Sequence, residues 1–411
     1  MEDPIVVGID IGTTKVCTLV ARLEGEKNLR ILGVGIEPSQ GIRKGNIVDL
    51  AAATQSIARS IEKAQRSSGL EITSALVSLA GSHVASVNSR GVVGISGGVI
   101  DEDDVARALE AAQAVAIPHN REIIHVIQRG FTVDGQEGIR TPIGMHGYRL
   151  EVEAHIITAA AATVENLRQC VEASGVQVSQ FVLNPLASAE VVLTETERSM
   201  GAIVCDIGGG TTDLAIYIEG DVWHTMVLAV GGNHITSDIA HGLRLSPDNA
   251  EQVKKQHGVS IARDIPDDDV FHIQGFGDEG PSQVSRKELA TIIEARVEEI
   301  FQLVQQEIKR SGYDGLLPAG MVLTGGSSLL PGMKTLASEV MQLPVRVSRP
   351  ENMVGLVDQL NSPAYSTSVG LLYWALLMSE TNLPLPSRKH PSGAPNVNWE
   401  KAKDFLKRLL P

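Results

Sequence analysis

The hydrophobic pattern of this chain repeats one unit, in which an apolar run, a short glycine-containing turn and a second apolar run follow one another. Runs of this length joined by so short a turn are typical of antiparallel strands, so each copy predicts a β-hairpin. The turns begin with Asp10 and Asp206, which lie 196 positions apart. The apolar runs are residues 5–9 and 16–20 in the first copy and residues 202–205 and 214–218 in the second.

The pattern of the remaining chain alternates between strands and helices, which favours an α/β fold. Residues 82–157 have a different pattern, that of a small α+β insert. The predicted strands are residues 30–35, 75–79, 85–95, 122–133, 148–156, 177–183 and 321–324, and the predicted helices are residues 50–67, 101–115, 163–174, 184–193 and 331–341.

Residues 231–305 form a more helical region. Ser246 is predicted to begin one helix, and Ser285 a longer one with a capping box completed by Glu288. Apolar residues at helical spacing continue this second helix to Gly312. A last helix begins at Ser366 with small residues, which allow a close crossing with the segment 187–189.

Composition and charge narrow the class of protein. The chain has 411 residues, a net charge of −14 and 43% hydrophobic residues, so it predicts several domains with real cores and argues against a nucleic-acid-binding protein. Cys17, Cys170 and Cys205 have neither disulfide nor zinc spacing, and buried thiols in a reducing cytoplasm are the simplest interpretation. The start of the chain lacks a signal-peptide pattern, and the apolar stretch 369–378 is too short to cross a bilayer.

The repeated turns carry the candidate chemistry. Glycines let several backbone N–H groups point at one phosphate, and the neighbouring Thr hydroxyls add donors. Asp10 and Asp206 at the strand ends would then hold Mg²⁺ through its water shell. One such turn is also compatible with an ordinary hairpin, but two copies favour two similar halves that close on one phosphate group.

A third glycine turn, residues 325–327, follows the strand at 321–324. Such a turn brings the backbone close to a flat group such as adenine or ribose, although a tight strand-to-helix connection has the same pattern.

The end of the chain has a pattern of its own. Residues 381–397 are proline-rich and polar, which predicts a flexible linker, and residues 398–411 predict an amphipathic helix. A basic helix with one Trp favours a weak interfacial membrane anchor whose residence depends on several linked copies, over a helix that docks on its own domain. Its apolar residues include Trp399, Phe405, Leu406, Leu409 and Leu410, and its flanking lysines are Lys401 and Lys403.

Together these motifs resemble the actin, Hsp70 and hexokinase superfamily, whose two related domains hold ATP between two such hairpins. Within it the chain is similar to the bacterial cell-division family FtsA over essentially its whole length. The segment 139–150 in the insert, the helix at 250–255 and the C-terminal helix carry this closer resemblance.

The resemblance implies an actin-like two-lobed ATP-binding fold, with duplicated mixed sheets flanked by helices, an α+β insert subdomain and a C-terminal amphipathic helix. The implied divisions are residues 1–83 with 162–195 for the first core subdomain, 84–161 for the insert, 196–230 with 306–380 for the second core subdomain, 231–305 for a smaller lobe, 381–397 for the linker and 398–411 for the membrane-targeting helix.

The resemblance also implies the cofactors ATP and Mg²⁺. Glu251 and Lys254 would contact the ribose or adenine, although an exposed ion pair explains them as well. The expected nucleotide-binding residues are Gly12, Thr13, Thr14, Lys15, Gly208, Gly209, Gly210, Thr211, Thr212, Gly231, Gly232, Glu251, Lys254, Gly325, Gly326 and Ser327.

For function, the resemblance implies a protein that polymerises on the cytoplasmic face of the inner membrane at midcell. It would tether the tubulin-like protein FtsZ through the FtsZ C-terminal tail and help to recruit later division proteins. Arg286, Lys287 and Arg296 are candidates for the acidic groups of that tail, and a solvated helix face is the alternative.

The catalytic class depends on one position. Sugar kinases of the superfamily place an Asp near the first connecting segment, where this chain has Asn184, and its next carboxylate there is Glu190 within the helix. A small-metabolite kinase is therefore the least favoured function. At most a slow ATPase is expected, with Asp10, Asp206 or Asp213 positioning metal or water. A pilus-assembly ATP-binding adaptor of the same superfamily is the main alternative.

Overall fold

The structure is a computed structural model that describes residues 4–24, 28–114, 117–273, 282–351 and 353–380. The chain divides into a compact unit, Met1–Ala375, and a second unit, Leu376–Pro411. The predicted linker at 381–397 and the predicted helix at 398–411 lie outside the described residues. The residues predicted to contact the membrane therefore also lie outside the described residues; they are Trp399, Lys401, Lys403, Phe405, Leu406, Leu409 and Leu410.

The chain begins with the predicted hairpin. Its elements up to the insert are β1 (Ile5–Ile11), β2 (Lys15–Glu24), β3 (Asn28–Pro38), β4 (Ile42–Arg43), β5 (Asn46–Ile47), α1 (Leu50–Ser68) and β6 (Ser74–Leu79). Asp49 caps α1 by accepting from the Ala52 N–H at 3.1 Å, and Gly69 ends the helix in the left-handed conformation.

The insert consists of four strands and one helix among the described residues. They are β7 (Ala85–Gly94), α2 (Glu102–Gln113), β8 (Arg121–Val133), β9 (Gln136–Ile139) and β10 (Arg149–Ala160). Asp101 and Asp104 form a capping box at the start of α2. The strands form one sheet in the order β7-β10-β8-β9, and α2 packs its apolar side on that sheet.

The chain then returns to the first sheet and enters the second hairpin. The elements are α3 (Ala161–Glu172), β11 (Gln177–Leu183), α4 (Asn184–Val192), α5 (Glu195–Met200), β12 (Ala202–Ile207), β13 (Thr212–Ile218) and β14 (Asp221–Leu228). The short helix α5, which the sequence pattern did not predict, begins with a capping box between Thr194 and Glu197.

The last described part contains α6 (Gly232–Gly242), α7 (Pro247–His257), β15 (Val270–Ile273), β16 (Ser282–Ser285), α8 (Arg286–Ser311), β17 (Gly320–Thr324), α9 (Met333–Met341), β18 (Val345–Val347), β19 (Val354–Gly355) and α10 (Ser366–Glu380). Ser246 caps α7 as predicted, by accepting from the Asn249 N–H, and Gly312 ends α8. Helix α8 is continuous through residue 305, where a domain division was expected.

The predicted capping box at Ser285 is wrong. Ser285 closes the hairpin of β15 and β16 by pairing with Val270, and its side chain makes no cap hydrogen bond. The Arg286 N–H donates instead to the Asp269 carbonyl at 2.9 Å. A long-range strand pairing therefore satisfies the helix start that the local pattern assigned to a side chain.

Two sheets share one topology, which is the structural form of the repeated sequence unit. The first has the order β11-β6-β1-β2-β3-β19 and the second the order β14-β13-β12-β17-β18. In each sheet three consecutive antiparallel strands continue into two parallel strands beside the first of them. We call these sheets with their flanking helices the first half and the second half. One apolar core fills the first half and continues onto one face of the second sheet, for example at Val204 and Val322, and a second core lies within the second half.

None of the helices among the described residues combines the length and hydropathy needed to cross a bilayer. Cys17, Cys170 and Cys205 are buried free thiols, as the sequence predicted.

Candidate functional site

A cavity of about 510 Å³ lies between the two halves. Its walls come from the turns of both hairpins, the start of α4, helices α6 and α7, and the segments that precede α9 and α10. The lining residues are Asp10, Gly12, Thr13, Thr14, Lys15, Asn184, Asp206, Gly208, Gly209, Gly210, Thr211, Asp213, Gly232, Asn233, Ile235, Glu251, Lys254, Lys255, Gly325, Gly326, Ser327, Leu329, Leu330, Pro331, Ala364 and Thr367.

The two hairpin turns have the same geometry. In the first turn (residues 12–15) the Gly12 N–H donates to the Lys15 carbonyl at 2.9 Å, and in the second turn (residues 208–211) the Gly208 N–H donates to the Thr211 carbonyl at 2.9 Å. Asp10 pairs with Cys17 across the first hairpin, and Asp206 pairs with Asp213 across the second. The duplication predicted from sequence therefore extends to single hydrogen bonds.

The first and second turns touch each other. A Cβ added to Gly210 would lie 2.4 Å from Thr13 Oγ1, and one added to Gly209 would lie 2.5 Å from Thr14 Cγ2. Only glycine allows this approach, because any side chain would separate the turns.

The third turn (residues 325–327) is fastened to the second. The Ser327 hydroxyl and the Gly232 N–H both donate to the Gly208 carbonyl at 2.9 Å. Gly325 has a φ of +84°, and a Cβ there would lie 2.4 Å from Asp206 Oδ1. The second turn, the third turn and the start of α6 therefore form one rigid wall.

Three buried carboxylates face this cavity. Asp10 accepts from the Ser368 hydroxyl at 2.6 Å and from the Ser78 hydroxyl at 3.2 Å. Burial raises the pKa of Asp206, although hydrogen bonds from Ser188 and Thr367 oppose the rise. Within the described residues, no three His, Cys, Asp or Glu side chains converge as a direct metal site.

The third carboxylate, Asp213, is linked to Asn184. The Asn184 Nδ2 donates to Asp213 Oδ2 at 3.4 Å, and the Thr211 hydroxyl donates to the same oxygen at 3.2 Å. Burial, followed by the charge of Asp206, raises the pKa of Asp213 well above its usual value. The Oδ1 atoms of Asp213 and Asn184 are buried without a hydrogen-bond partner among the described residues. The site thus has two unused acceptor oxygens.

Lys15 supplies a cation beside these carboxylates. Its ammonium group lies 3.6 Å from Asp10 Oδ2, donates to the Ala364 carbonyl at 2.6 Å and lies 4.8 Å from the Tyr365 ring centroid. Burial lowers the pKa of Lys15, but the charge of Asp10 and smaller contributions outweigh it, so the pKa is raised overall.

Glu251 and Lys254 form a half-buried cluster in the wall rather than an exposed pair. Lys254 Nζ lies 2.6 Å from Glu251 Oε2. Lys254 also donates to the Gly232 carbonyl at 3.1 Å and to the Thr236 hydroxyl at 2.7 Å. Burial alone would raise the pKa of Glu251, but hydrogen bonds from Lys254 and Thr236 lower it overall. Both side chains are held in position at the cavity.

Most of the residues that the sequence predicted for this site do line the cavity. Thr212 and Gly231 do not: the Thr212 hydroxyl donates to the Val230 carbonyl at 2.9 Å, and Gly231 forms the N-cap of α6. The sequence reasoning did not assign Asn233, Ile235, Lys255, Leu329, Leu330, Pro331, Ala364 and Thr367. The apolar run after the third turn was a usable signal for Leu329 and Leu330.

The candidate partner-binding cations are already paired with acids. Arg286 lies 3.1 Å from Asp269, Lys287 pairs with Asp267, and Arg296 pairs with both Asp238 and Glu299. An acidic partner would have to compete with these carboxylates.

Solved structures define the class of fold. The chain is similar to a structure of the PilM-PilN type IV pilus biogenesis complex, with a TM-score of 0.64 at 16% identity over 90% of this chain and 98% of that one. It is also similar to MreB5 of Spiroplasma citri bound to AMPPNP, with a TM-score of 0.58 at 17% identity over 93% and 100%. The fold, with its duplicated sheets and interlobe cavity, is that of an actin-like protein.

Sequence relatives then give the family. The family model "Cell division protein FtsA" matches residues 203–370, and "SHS2 domain inserted in FTSA" matches residues 81–158. The chain is 42% identical to cell division protein FtsA of Pseudomonas aeruginosa over 98% of this chain and 96% of that protein, and 36% identical to that of Escherichia coli over 90% of each. The chain belongs to the FtsA family of cell division proteins.

Proposed function

We propose that the chain binds ATP with Mg²⁺ in the cavity between its halves. The proposal depends on one observation: the first and second turns are equivalent and in direct contact. The glycine-rich backbone of both halves therefore faces the same part of the cavity. A cavity of about 510 Å³ is of the size that small-molecule ligands occupy. The related fold of MreB5 was solved with ADP and with AMPPNP.

The residues of the site divide into roles for the phosphates and the ion. Backbone N–H groups and Thr hydroxyls of the first and second turns would bind the phosphates, with Lys15 as the cation. Mg²⁺ fits an all-oxygen set, and the unused Oδ1 of Asp213 is an acceptor of the kind that its bound water needs. Asp10 and Asp206 would hold the ion through water, and the ion would neutralise phosphate charge.

The adenosine would lie against the other side of the cavity. Glu251 and Lys254 are held at this wall by Thr236, and the third turn approaches with its backbone. Ile235, Leu329, Leu330 and Pro331 supply the apolar surface for a flat base.

Hydrolysis is proposed to be slow at most. Asn184 lines the cavity and stands in the segment where the sugar kinases of the resembled superfamily place an Asp as general base, which disfavours a metabolite kinase. Asn184 and Asp213 could still orient a water molecule through their unused oxygens. ATP would therefore act mainly as a structural ligand that joins the two halves.

At the cellular level we propose a scaffold that polymerises on the cytoplasmic face of the inner membrane and tethers FtsZ there. FtsA family membership supports this function. The alternative, a pilus-assembly adaptor, is supported only by similarity of fold. The membrane contact is assigned to the amphipathic pattern at 398–411, and the FtsZ tail to the lobe that contains α6, α7 and α8.

Co-pelleting with anionic liposomes tests these assignments together. We expect the full chain to sediment more strongly with ATP and Mg²⁺ than without, and to bring an acidic FtsZ tail peptide with it. A chain ending at residue 397 should stay in the supernatant, and Asp206→Asn should lose the ATP effect.

A charge-reversed peptide is the control for the partner. Equal sedimentation of the truncated chain would contradict the lipid anchor and favour an adaptor that docks on a membrane protein. Equal recruitment of both peptides would contradict a specific tail site.

A further inference from the structure

The first turn of α10 contacts both duplicated aspartates through two consecutive residues. The Thr367 hydroxyl donates to Asp206 Oδ2 at 3.0 Å, and the Ser368 hydroxyl donates to Asp10 Oδ2 at 2.6 Å. Successive side chains on a helix point about 100° apart. One helix end can therefore reach the equivalent carboxylate of each half.

A second helix joins this arrangement at Asp206. The Ser188 hydroxyl of α4 donates to Asp206 Oδ2 at 2.5 Å and lies 2.9 Å from Thr367 Oγ1. Ser188 and Ser368 are fully buried, and Thr367 is 7% exposed. The Ser188 and Ser368 hydroxyls are thus shielded from bulk solvent, whereas Thr367 bonds Asp206 from the wall of the cavity, and the loss of any of these donors would leave a buried carboxylate with one hydrogen bond fewer.

The helix end itself is fixed tightly. The Ser366 hydroxyl lies 2.6 Å from Thr324 Oγ1, and a Cβ on Gly370 would lie 1.9 Å from the Ala187 carbonyl oxygen. On the other side, a Cβ on Gly8 of β1 would lie 2.9 Å from Leu371 Cβ. The first two turns of α10 therefore pack against both hairpins and α4, with little freedom to shift relative to either aspartate.

We propose that Thr367 and Ser368 are positioning residues that fix Asp206 and Asp10 in one relative geometry, so that both halves direct their carboxylates at the ion of a single bound nucleotide. This inference rests on the proposed ATP function and extends it to residues of α10. Carboxylates gathered in one cavity repel each other, and directed hydroxyl donors keep each one in a single orientation.

The test measures how much Mg²⁺ the full chain needs to bind ATP. At fixed ATP, bound nucleotide is titrated with Mg²⁺ by fluorescence of a labelled ATP. Thr367→Val and Ser368→Ala should each raise the half-saturating Mg²⁺ concentration by about tenfold, because each removes a hydrogen bond to a charged group. Thr367→Ser and Ser368→Thr keep the hydroxyl, so their half-saturating Mg²⁺ concentration should equal that of the unsubstituted chain.

Ser366→Ala is the matched control, since Ser366 lies on the same turn, is equally buried and bonds Thr324 instead of an aspartate. It should leave the Mg²⁺ requirement unchanged, and thermal unfolding of every variant reports whether the fold survives. Variants that only lower the amount of bound ATP, without moving the Mg²⁺ midpoint, would overturn the positioning role. Failure of the unsubstituted chain to bind ATP at any Mg²⁺ concentration would instead overturn the proposed function.

Discussion

At the residue scale, the two copies of the hairpin share the aspartate that precedes the turn but differ at positions that determine the charge of the site. Asp10 and Asp206 are equivalent, but Cys17 stands opposite the first and Asp213 opposite the second. Burial raises the pKa of Cys17 to about 12, so it adds no charge. Lys15 of the first turn is likewise replaced by Thr211 in the second. We therefore expect the first half to contribute the cation for phosphate and the second half most of the acid for metal and water.

The contact between the turns leads to a prediction at Gly210. In Gly210→Ala the new methyl would lie 2.4 Å from Thr13 Oγ1 and 3.0 Å from Thr13 Cβ, so the Thr13 side chain or the backbone of one turn must move. Overpacking of this kind costs about 1–3 kcal/mol. We expect ATP affinity, measured by calorimetry, to fall about tenfold or more.

Gly94→Ala in the insert is the control, because a methyl there meets nothing within 4 Å. It should bind ATP like the unsubstituted chain. Unchanged affinity of Gly210→Ala would show that the separation of the turns does not matter for binding.

At the element scale, the sequence was most informative where local pattern and tertiary contact agree. The hairpin turns and the helix that starts at Asn184 follow from glycine, proline and apolar spacing, and the structure has them in place. The predicted capping box at Ser285 is wrong because Ser285 pairs with Val270 of the preceding strand, and this strand pairing determines where the helix starts. Thr367 reaches the cavity only through packing of α10 against distant elements, for which a single sequence carries no local signal.

The crossing of α10 and α4 gives an element-scale prediction with a diagnostic sign. Helix propensity alone predicts that Gly370→Ala stabilises the chain by about 1 kcal/mol. The added Cβ would, however, lie 1.9 Å from the Ala187 carbonyl oxygen, which is backbone and cannot rotate away. We expect a net loss of about 1–3 kcal/mol in the free energy of unfolding, measured with urea.

Gly315→Ala provides the comparison, since its methyl would meet nothing within 4 Å. Its effect should be small. A stabilised Gly370→Ala variant would mean that the two helices are not in close contact in solution.

At the scale of the whole molecule, the insert bridges the halves: it is covalently part of the first and packs on strand β14 of the second. The Ser86 hydroxyl donates to the Thr225 carbonyl at 3.0 Å, and the Arg129 guanidinium lies 3.9 Å from the Trp223 ring centroid. At the centre, His155 bonds Asn88 Oδ1 at 2.6 Å and Thr225 Oγ1 at 3.0 Å. If the halves move relative to each other, either these contacts break or the insert moves together with the second half.

We expect this interface to depend on pH through His155. Burial, with smaller contributions from His224, Arg129 and His125, lowers the pKa of His155 to about 3. A folded-state pKa below the ordinary value of 6.5 means that the neutral ring is stabilised by folding. That stabilisation is complete above about pH 6.5 and is lost progressively as pH falls toward 3.

We expect the thermal unfolding midpoint to fall from pH 7 to pH 4, and less steeply in His155→Gln, whose amide can donate and accept without titrating. The slope should not vanish, because burial also lowers the pKa values of His83 and His125 to about 4. Exposed His119→Gln is the matched control and should keep the full slope; an equal slope in His155→Gln would contradict a role for this interface in the acid sensitivity of the fold.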